Sequence, residues 1–537
     1  MSRGCAVALL LAVTVALGLR APRLDVRPLH NDEAVNAVKL AGLWEKGNYA
    51  YDPDEFHGPS LYYASLPFLW LSGARDSSQL TDTTLRLAPV AFGIGLILLL
   101  VLLADGLGRA ALWWAALFTA ISPAMVFYSR YFIHETLLVF FTALVLGAGW
   151  RYAQSRRLAW ALLGGAGLGL MYATKETFVI AVAALTLAVI ATFLWNDWFG
   201  DHAPSAASTM KSDNLGATNR LDRLRSLWNF KHALAALVVA FVVGELLFSS
   251  FLANPRGPLD SVRTYLPWLN RAGGASPHNH PWYFYLERLA FFHKASGPVW
   301  SEALILLLAA VGAVAALAGR LRGQGSVTLA RCLTFYTVIL TAGYCLISYK
   351  TPWCLLGFWH GMILLAGIGA AALVNLGARR WARIGISLVL ALASAQLAWQ
   401  AWRTVHDFAS DPRNPYVYAQ TVPDILRLVE KLEALAQIEP QGHRMVVKVI
   451  GADSDYWPLP WYLRRFEQVG WWDAPPDDPY APIVIASSKL QLALDEKSDK
   501  AWLMAGLFQL RPANFLELYV QMDLWRKYVE TLPRPHD

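Results

Sequence analysis

The chain has 537 residues, of which 56% are hydrophobic and only 16% are charged, with 23 Trp, 21 Tyr and 24 Phe. Soluble domains carry about a quarter of charged residues, so this balance excludes an ordinary water-soluble protein and indicates lipid as the solvent. The formal charge of +7 does not indicate nucleic-acid binding, because the basic residues form short clusters between apolar runs.

The first apolar run, residues 5–20, admits two interpretations. Arg3 precedes a short hydrophobic stretch, as in a cleaved secretory signal peptide. The residues that follow, Gly-Leu-Arg-Ala-Pro at 18–22, lack a clear small-x-small cleavage site. We therefore expect this run to be retained as a first transmembrane helix, with a cleaved signal peptide as the alternative.

Apolar runs recur along residues 1–402, each about as long as the ~30 Å hydrocarbon core requires at ~1.5 Å per helical residue. They predict a transmembrane region of about eleven helices. The runs lie near residues 5–20, 86–104, 111–128, 136–150, 158–173, 178–195, 232–252, 298–318, 332–348, 352–375 and 383–402.

The basic residues between these runs fall into alternate connections, which predicts the orientation of the chain. Positive loops face the cytoplasm, so the N-terminus is expected there, in a multi-pass protein of the cell (inner or plasma) membrane. The polar stretch 196–231, rich in Ser, Asp, Asn and Ala, is typical of a flexible cytoplasmic linker. The cytoplasmic clusters are Arg109; Arg151, Arg156 and Arg157; Lys211 to Lys231; Arg320, Arg322 and Arg331; and Arg379, Arg380 and Arg383.

The opposite loops, chiefly 21–85 and 253–297, collect acids, bases, histidines and aromatic residues. Loop 21–85 contains two amphipathic stretches that predict helices lying along the interface. After residue 402 the sequence becomes more polar, with an amphipathic helix over Val422–Gln437 and short β-rich runs at Met445–Ile450 and Ile483–Ala486. The predicted fold is thus an α-helical polytopic membrane protein with a small extracytoplasmic α/β domain at 403–537.

An acidic pair, Asp32 and Glu33, follows the first apolar run. A carboxylate at the boundary of lipid and water can act as a general base. Helical neighbours point about 100° apart, so only one of the two can reach a given reacting atom, and the other would hold it or a loop in place. The alternative is a helix start, with Asn31 as N-cap and both acids favouring the helix dipole.

Four cations stand at the outer ends of other runs: Arg130, Lys175, Lys350 and Arg256. If they converge opposite the acids, they suit a phosphate leaving group. Singly, each can instead extend toward lipid head groups. Glu135 for Arg130, and Glu176 for Lys175, are neighbours that can consume the charge.

Histidines accumulate on the same side of the membrane, and we assign them, with Glu135 and Glu176, to the acceptor site or to loop shaping. His278 and His280 would face the same side of a strand, but no third metal ligand is evident. No metal site is therefore assigned; these residues are compatible with a divalent metal but do not indicate one. His57 in Phe-His-Gly-Pro is more typical of a turn, and His30 precedes the acidic pair.

The acidic pair, the segment Ser129-Arg-Tyr-Phe-Ile-His-Glu135 and the segment Ala173-Thr-Lys-Glu-Thr177 resemble those of the clan C (GT-C) membrane glycosyltransferases. The resemblance is to the protein O-mannosyltransferases and the lipid A aminoarabinose transferases, and within them to flippase-associated prokaryotic members. It covers residues 1–400 in topology but only these short motifs in detail. The C-terminal region departs from both branches.

The resemblance implies transfer of a sugar from a polyprenyl-phosphate donor, such as undecaprenyl or dolichyl phosphate, on the outer face of the membrane. Asp32 would be the base and Glu33 its support, while Arg130, Lys175, Lys350 and, less clearly, Arg256 would bind the donor phosphate. No obligatory cofactor is implied. The partners would be the lipid-linked donor, membrane lipids and an acceptor that is protein, lipid or glycan.

Two other functional classes fit a polytopic chain of this kind. A transporter or flippase would carry ionisable groups near helix midpoints and internal repeats, but Glu245 is the only clear interior acid and no repeat is evident. A non-catalytic partner in glycan assembly would not need the acid and the cations. We therefore favour the glycosyltransferase.

Overall fold

The computed structural model describes residues 3–54, 57–199, 229–274, 276–321 and 325–533. Most of the predicted linker 196–231 lies outside these described residues. Within them, eight helices are long and apolar enough to cross a membrane, and three shorter apolar helices accompany them. Together they correspond one to one with the predicted runs, so the predicted helical membrane fold is confirmed.

The bounds of the apolar helices follow the sequence pattern closely. Two runs are interrupted: a 3-10 turn at Leu100–Leu103 lies inside the second helix, and Ser122 caps a separate helix, Pro123–Tyr128. The helices are Arg3–Arg20, Asp82–Leu107, Arg109–Ile121, Glu135–Ser155, Leu158–Tyr172, Phe178–Phe199, Phe230–Phe248, Ala303–Leu317, Val327–Leu346, Pro352–Leu376 and Arg380–Val405.

Small residues allow the closest helix crossing in the bundle. A Cβ on Gly312 would lie 2.0 Å from the Leu365 carbonyl oxygen, and one on Gly369 would lie 1.9 Å from that of Leu308. The helices Ala303–Leu317 and Pro352–Leu376 therefore touch through their backbones, as small-residue crossings in membranes do. The latter helix is the most buried of the candidate spans, with 83% of its apolar window enclosed.

Short helices occupy the predicted outer loops. Two helices form where the amphipathic stretches of loop 21–85 predict them, and three more form in loop 253–297. The first starts with His30, not Asn31, as its N-cap: His30 Nδ1 accepts from Asp32 N while Glu33 accepts from His30 N. The helices are Asn31–Lys46, Ser60–Ser72, Gly257–Arg263, Tyr265–Gly273 and Phe284–Ala290.

The C-terminal region contains five strands: β1 Val446–Ile450, β2 Gln468–Trp472, β3 Ile483–Ser487, β4 Trp502–Arg511 and β5 Asn514–Gln521. They form one mixed sheet in the order β2-β1-β3-β5-β4. β1, β2 and β3 are parallel, whereas β5 pairs antiparallel with both β3 and β4. Helices Asp424–Ile438 and Met522–Thr531 and the short helix Leu459–Tyr462 accompany the sheet, which confirms the predicted α/β character.

Candidate active site

The two acids at the start of helix Asn31–Lys46 have opposite environments. The Asp32 side chain is 46% exposed, and its carboxylate lies 3.9 Å from His30 Nδ1. The Glu33 side chain is completely buried. Successive helical residues point in different directions, so one faces solvent and the other faces the protein. Of these two carboxylates, only that of Asp32 is accessible to solvent.

Glu33 ties the acidic helix to its surroundings. Arg86 donates to both of its carboxylate oxygens, at 2.8 and 2.9 Å, and Phe132 N donates at 2.9 Å. Burial raises the pKa of Glu33, but Arg27 and Arg86 outweigh it and hold the pKa at about 2. Both carboxylate oxygens of Glu33 are thus engaged by groups of the protein itself.

Arg130, a predicted phosphate ligand, is bound to backbone carbonyls in the structure. It is buried, and its guanidinium donates to the backbone carbonyls of Arg20, Pro22 and Arg23 at 2.7–2.8 Å. Burial lowers its pKa to about 9. Arg130 therefore fixes the end of the first helix to the Ser129–Glu135 segment.

Glu135 and Glu176 have partners other than the neighbouring cations considered from the sequence. Lys175 pairs with Glu135, not with its neighbour Glu176, and both partners are buried. Burial lowers the pKa of Lys175, but the charge of Glu135 outweighs it and raises the pKa above the usual value. Glu176 instead lies 2.7 Å from His57 Nδ1. Residues from distant segments thus hold the Lys175 loop in place.

Gly58 allows the His57 segment to lie directly on the Lys175 loop. Gly58 N donates to the Thr174 carbonyl oxygen at 3.1 Å, and a Cβ on Gly58 would lie 2.2 Å from the Ala173 carbonyl oxygen. The buried His134 donates from Nε2 to Gly58 O at 2.9 Å. A side chain at this position has no space.

We therefore expect Gly58→Ala to destabilise the protein by about 1–3 kcal/mol, because the new methyl group must displace backbone. The unfolding temperature in detergent should fall accordingly. Gly42→Ala is the matched control, since a Cβ there meets nothing within 4 Å and alanine favours a helix interior. Equal unfolding temperatures for the two variants would contradict the close contact.

The segment with His278 and His280 pairs antiparallel with the segment that contains Lys350, through a bridge between Asn279 and Tyr349. Lys350 N donates to His278 O at 2.9 Å, and His280 N donates to Ser348 O at 3.0 Å. Both imidazoles contact the Tyr418 hydroxyl, at 2.7 and 3.2 Å, so they face the same side as predicted. The Lys350 ammonium donates hydrogen bonds to the His280 and Ile347 carbonyls. An ammonium has three N–H donors, so one remains for a ligand.

Arg288 was not among the residues that the sequence pattern selected. Its guanidinium lies 3.5 Å from the centre of the Phe284 ring, and its buried Nε has no hydrogen-bond partner. Burial lowers its pKa, and Tyr128 and Tyr418 are among the groups that act on it. Arg256, in contrast, is exposed at the start of helix Gly257–Arg263.

Trp353 joins these elements to a narrow cavity between membrane helices. Its ring lies 5.5 Å from His30 and 6.0 Å from Tyr418. The cavity is small, about 20 Å³, and is lined mainly by apolar side chains together with the Lys175–Glu135 pair. Its lining residues include Leu138, Val139, Ala181, Tyr336, Leu340, Tyr344, Cys354 and Leu356.

The model of the family described as dolichyl-phosphate-mannose-protein mannosyltransferase matches residues 77–210 of the chain. This segment contains the Ser129–Glu135 and Thr174–Glu176 motifs, and the description names the predicted enzyme class, a glycosyltransferase. No curated protein matches the chain in sequence.

Solved structures share the fold at low sequence identity. ArnT from Cupriavidus metallidurans bound to undecaprenyl phosphate has a TM-score of 0.59 at 14% identity, over 95% of this chain and 97% of that chain. AglB from Archaeoglobus fulgidus, with an inhibitory peptide and a dolichol-phosphate, has a TM-score of 0.52 at 12% identity, over 91% of this chain and 70% of that chain.

The oligosaccharyltransferase of Archaeoglobus fulgidus tethered with an acceptor peptide has a TM-score of 0.52 at 14% identity, over 87% of this chain. This chain spans 63% of its length. The family match over residues 77–210 and the fold shared over most of the chain confirm the predicted resemblance: this is a multi-pass membrane protein with the fold of the clan C glycosyltransferases.

Proposed function

We propose that the protein transfers a sugar from a polyprenyl-phosphate donor to an acceptor on the outer face of the cell membrane. In this proposal the N-terminus is cytoplasmic, and the C-terminal domain 403–537 is extracytoplasmic. The observation that carries it is the half-exposed carboxylate of Asp32, which acts on His278, the residue whose backbone pairs with Lys350. The lipid phosphates in the ArnT and AglB structures support this class of donor.

The neighbours of Asp32 suit the two halves of such a reaction. Burial lowers the pKa of His278, and the negative charge of Asp32 opposes this by raising it. The His278 backbone is hydrogen-bonded to Lys350, and Arg288 acts on the pKa of the adjacent His280. A carboxylate for the acceptor and cations for the donor are thus connected through adjoining residues.

The reaction follows from these placements. Asp32 takes the proton of the acceptor hydroxyl, whose oxygen forms a bond to the anomeric carbon of the sugar. The bond from that carbon to the phosphate oxygen breaks, and the lipid phosphate leaves with the electron pair. Lys350 and Arg288 stabilise the charge on the leaving phosphate.

Trp353 and Tyr418 pack edge to face with their ring centres 6.0 Å apart, and we assign them to the sugar. Lys175 and Arg256 remain proposed phosphate ligands; Lys175 must share its charge with Glu135. His30, His57 and Glu176 are assigned to loop shaping, and His278 and His280 to the acceptor side. The acceptor class, whether protein, lipid or glycan, follows from none of these contacts.

We expect Arg288→Gln and Lys350→Gln each to weaken undecaprenyl-phosphate binding about tenfold or more. A hydrogen bond to a charged group contributes about 1.5–3 kcal/mol, and about 1.4 kcal/mol corresponds to a factor of ten. Binding is measured on the purified protein in lipid nanodiscs, with Arg263→Gln as the control because Arg263 is 62% exposed. Failure of the wild type to bind any polyprenyl phosphate would overturn the proposed donor class.

A further inference from the structure

The C-terminal domain is hydrogen-bonded to the loop that precedes Asp32. The Tyr462 hydroxyl accepts from Leu29 N at 2.8 Å and donates to Asp82 Oδ2 at 2.7 Å. Leu29 is completely buried and stands next to His30, the N-cap of the helix that carries Asp32. One hydroxyl therefore joins the domain, the second membrane helix and the start of the acidic helix.

Further contacts reinforce the same junction. Trp461 Nε1 donates to Asp82 Oδ1 at 2.9 Å, so both oxygens of this carboxylate are used by the C-terminal domain. Gln420 Nε2 donates to the Pro28 carbonyl at 3.0 Å, and Arg464 Nε donates to the Ser77 carbonyl at 2.9 Å. The loop before Asp32 is thus held by residues almost 400 positions later in the chain.

We propose that Tyr462 is a positioning residue for Asp32, and that the C-terminal domain sets the place of the catalytic carboxylate. This inference rests on the proposed function, in which Asp32 is the base. The two aromatic neighbours differ in what they bind. Tyr462 contacts both Asp82 and the Asp32 loop, whereas Trp461 contacts Asp82 without the hydrogen bond to Leu29.

That difference supplies the experiment. Transfer of radiolabelled sugar from polyprenyl-phosphate sugars is followed in membranes, and kcat and the KM for donor are compared at matched expression. Tyr462→Phe is expected to lower kcat about 10- to 100-fold with an unchanged KM, because small misplacements of a reacting group have effects of this order. Trp461→Phe, which keeps the Leu29 contact, is expected to lower kcat much less.

Tyr456→Phe is the matched control, because the Tyr456 hydroxyl contacts Ser454 of its own domain at 3.5 Å. Equal losses in Tyr462→Phe and Trp461→Phe that follow their unfolding temperatures would overturn the inference, since they would show docking alone. A wild-type kcat in Tyr462→Phe would overturn it as well. Undiminished transfer in Asp32→Asn would instead remove the proposed function, so the two failures are distinguishable.

Discussion

Asp32→Asn is expected to lower sugar transfer by about 10²–10⁴-fold, the usual contribution of a general base, while the protein stays folded. The amide has the shape of the carboxylate but cannot take the acceptor proton. Because the Asp32 side chain is 46% exposed, the substitution leaves no buried charge without a partner. The unfolding temperature in detergent should therefore remain that of the wild type.

Transfer is measured in membranes supplied with radiolabelled polyprenyl-phosphate sugars, at matched expression of each variant. Asp25→Asn is the control, since Asp25 is an exposed carboxylate of the same loop, and it should transfer like the wild type. If Asp32→Asn transfers undiminished, Asp32 returns to its other role, an acid in the first turn that favours the helix dipole.

The membrane helices were predictable because their signal is local. An apolar run of sufficient length has few alternatives in lipid, where backbone groups must be satisfied within the segment. The same holds for helix Asp424–Ile438, whose buried residues Ile425, Leu428, Leu432 and Leu435 repeat at helical spacing. β4 and β5 were not predicted, because the two residues between Arg511 and Asn514 are Pro-Ala, which lack the Asn-Gly or Asp-Gly signal of a two-residue hairpin.

The ion pairs were predicted less well, because they depend on which loops meet. Sequence proximity suggested Glu135 for Arg130 and Glu176 for Lys175. The structure instead joins Lys175 to Glu135 over 40 positions and gives Arg130 backbone carbonyls as partners. Arg288 was not predicted as a site residue because it lies in a short helix directly after Glu287. Adjacent opposite charges in a sequence favour a solvent-exposed pair.

Glu33→Gln is expected to have the opposite phenotype from Asp32→Asn, with loss of the fold rather than of one chemical step. Glu33 and Arg86 are both completely buried and paired at 2.8 Å, with Arg27 also near at 3.5 Å. Removing one partner of a buried pair costs about 3–5 kcal/mol, because the remaining charge is left uncompensated. The unfolding temperature and the yield of folded protein should both fall.

The pH dependence of stability separates this effect from simple loss of packing. The pKa of Glu33 is lowered from 4.5 to about 2 in the folded protein, so its contribution is complete above about pH 4.5 and is lost as pH falls toward 2. The wild type should therefore lose part of its stability over this range, and Glu33→Gln should lack that part. An unfolding temperature like the wild type's for Glu33→Gln at neutral pH would show that Arg86 does not depend on this carboxylate. Glu33 would then no longer explain how the Asp32 helix is fixed to the Phe132 backbone.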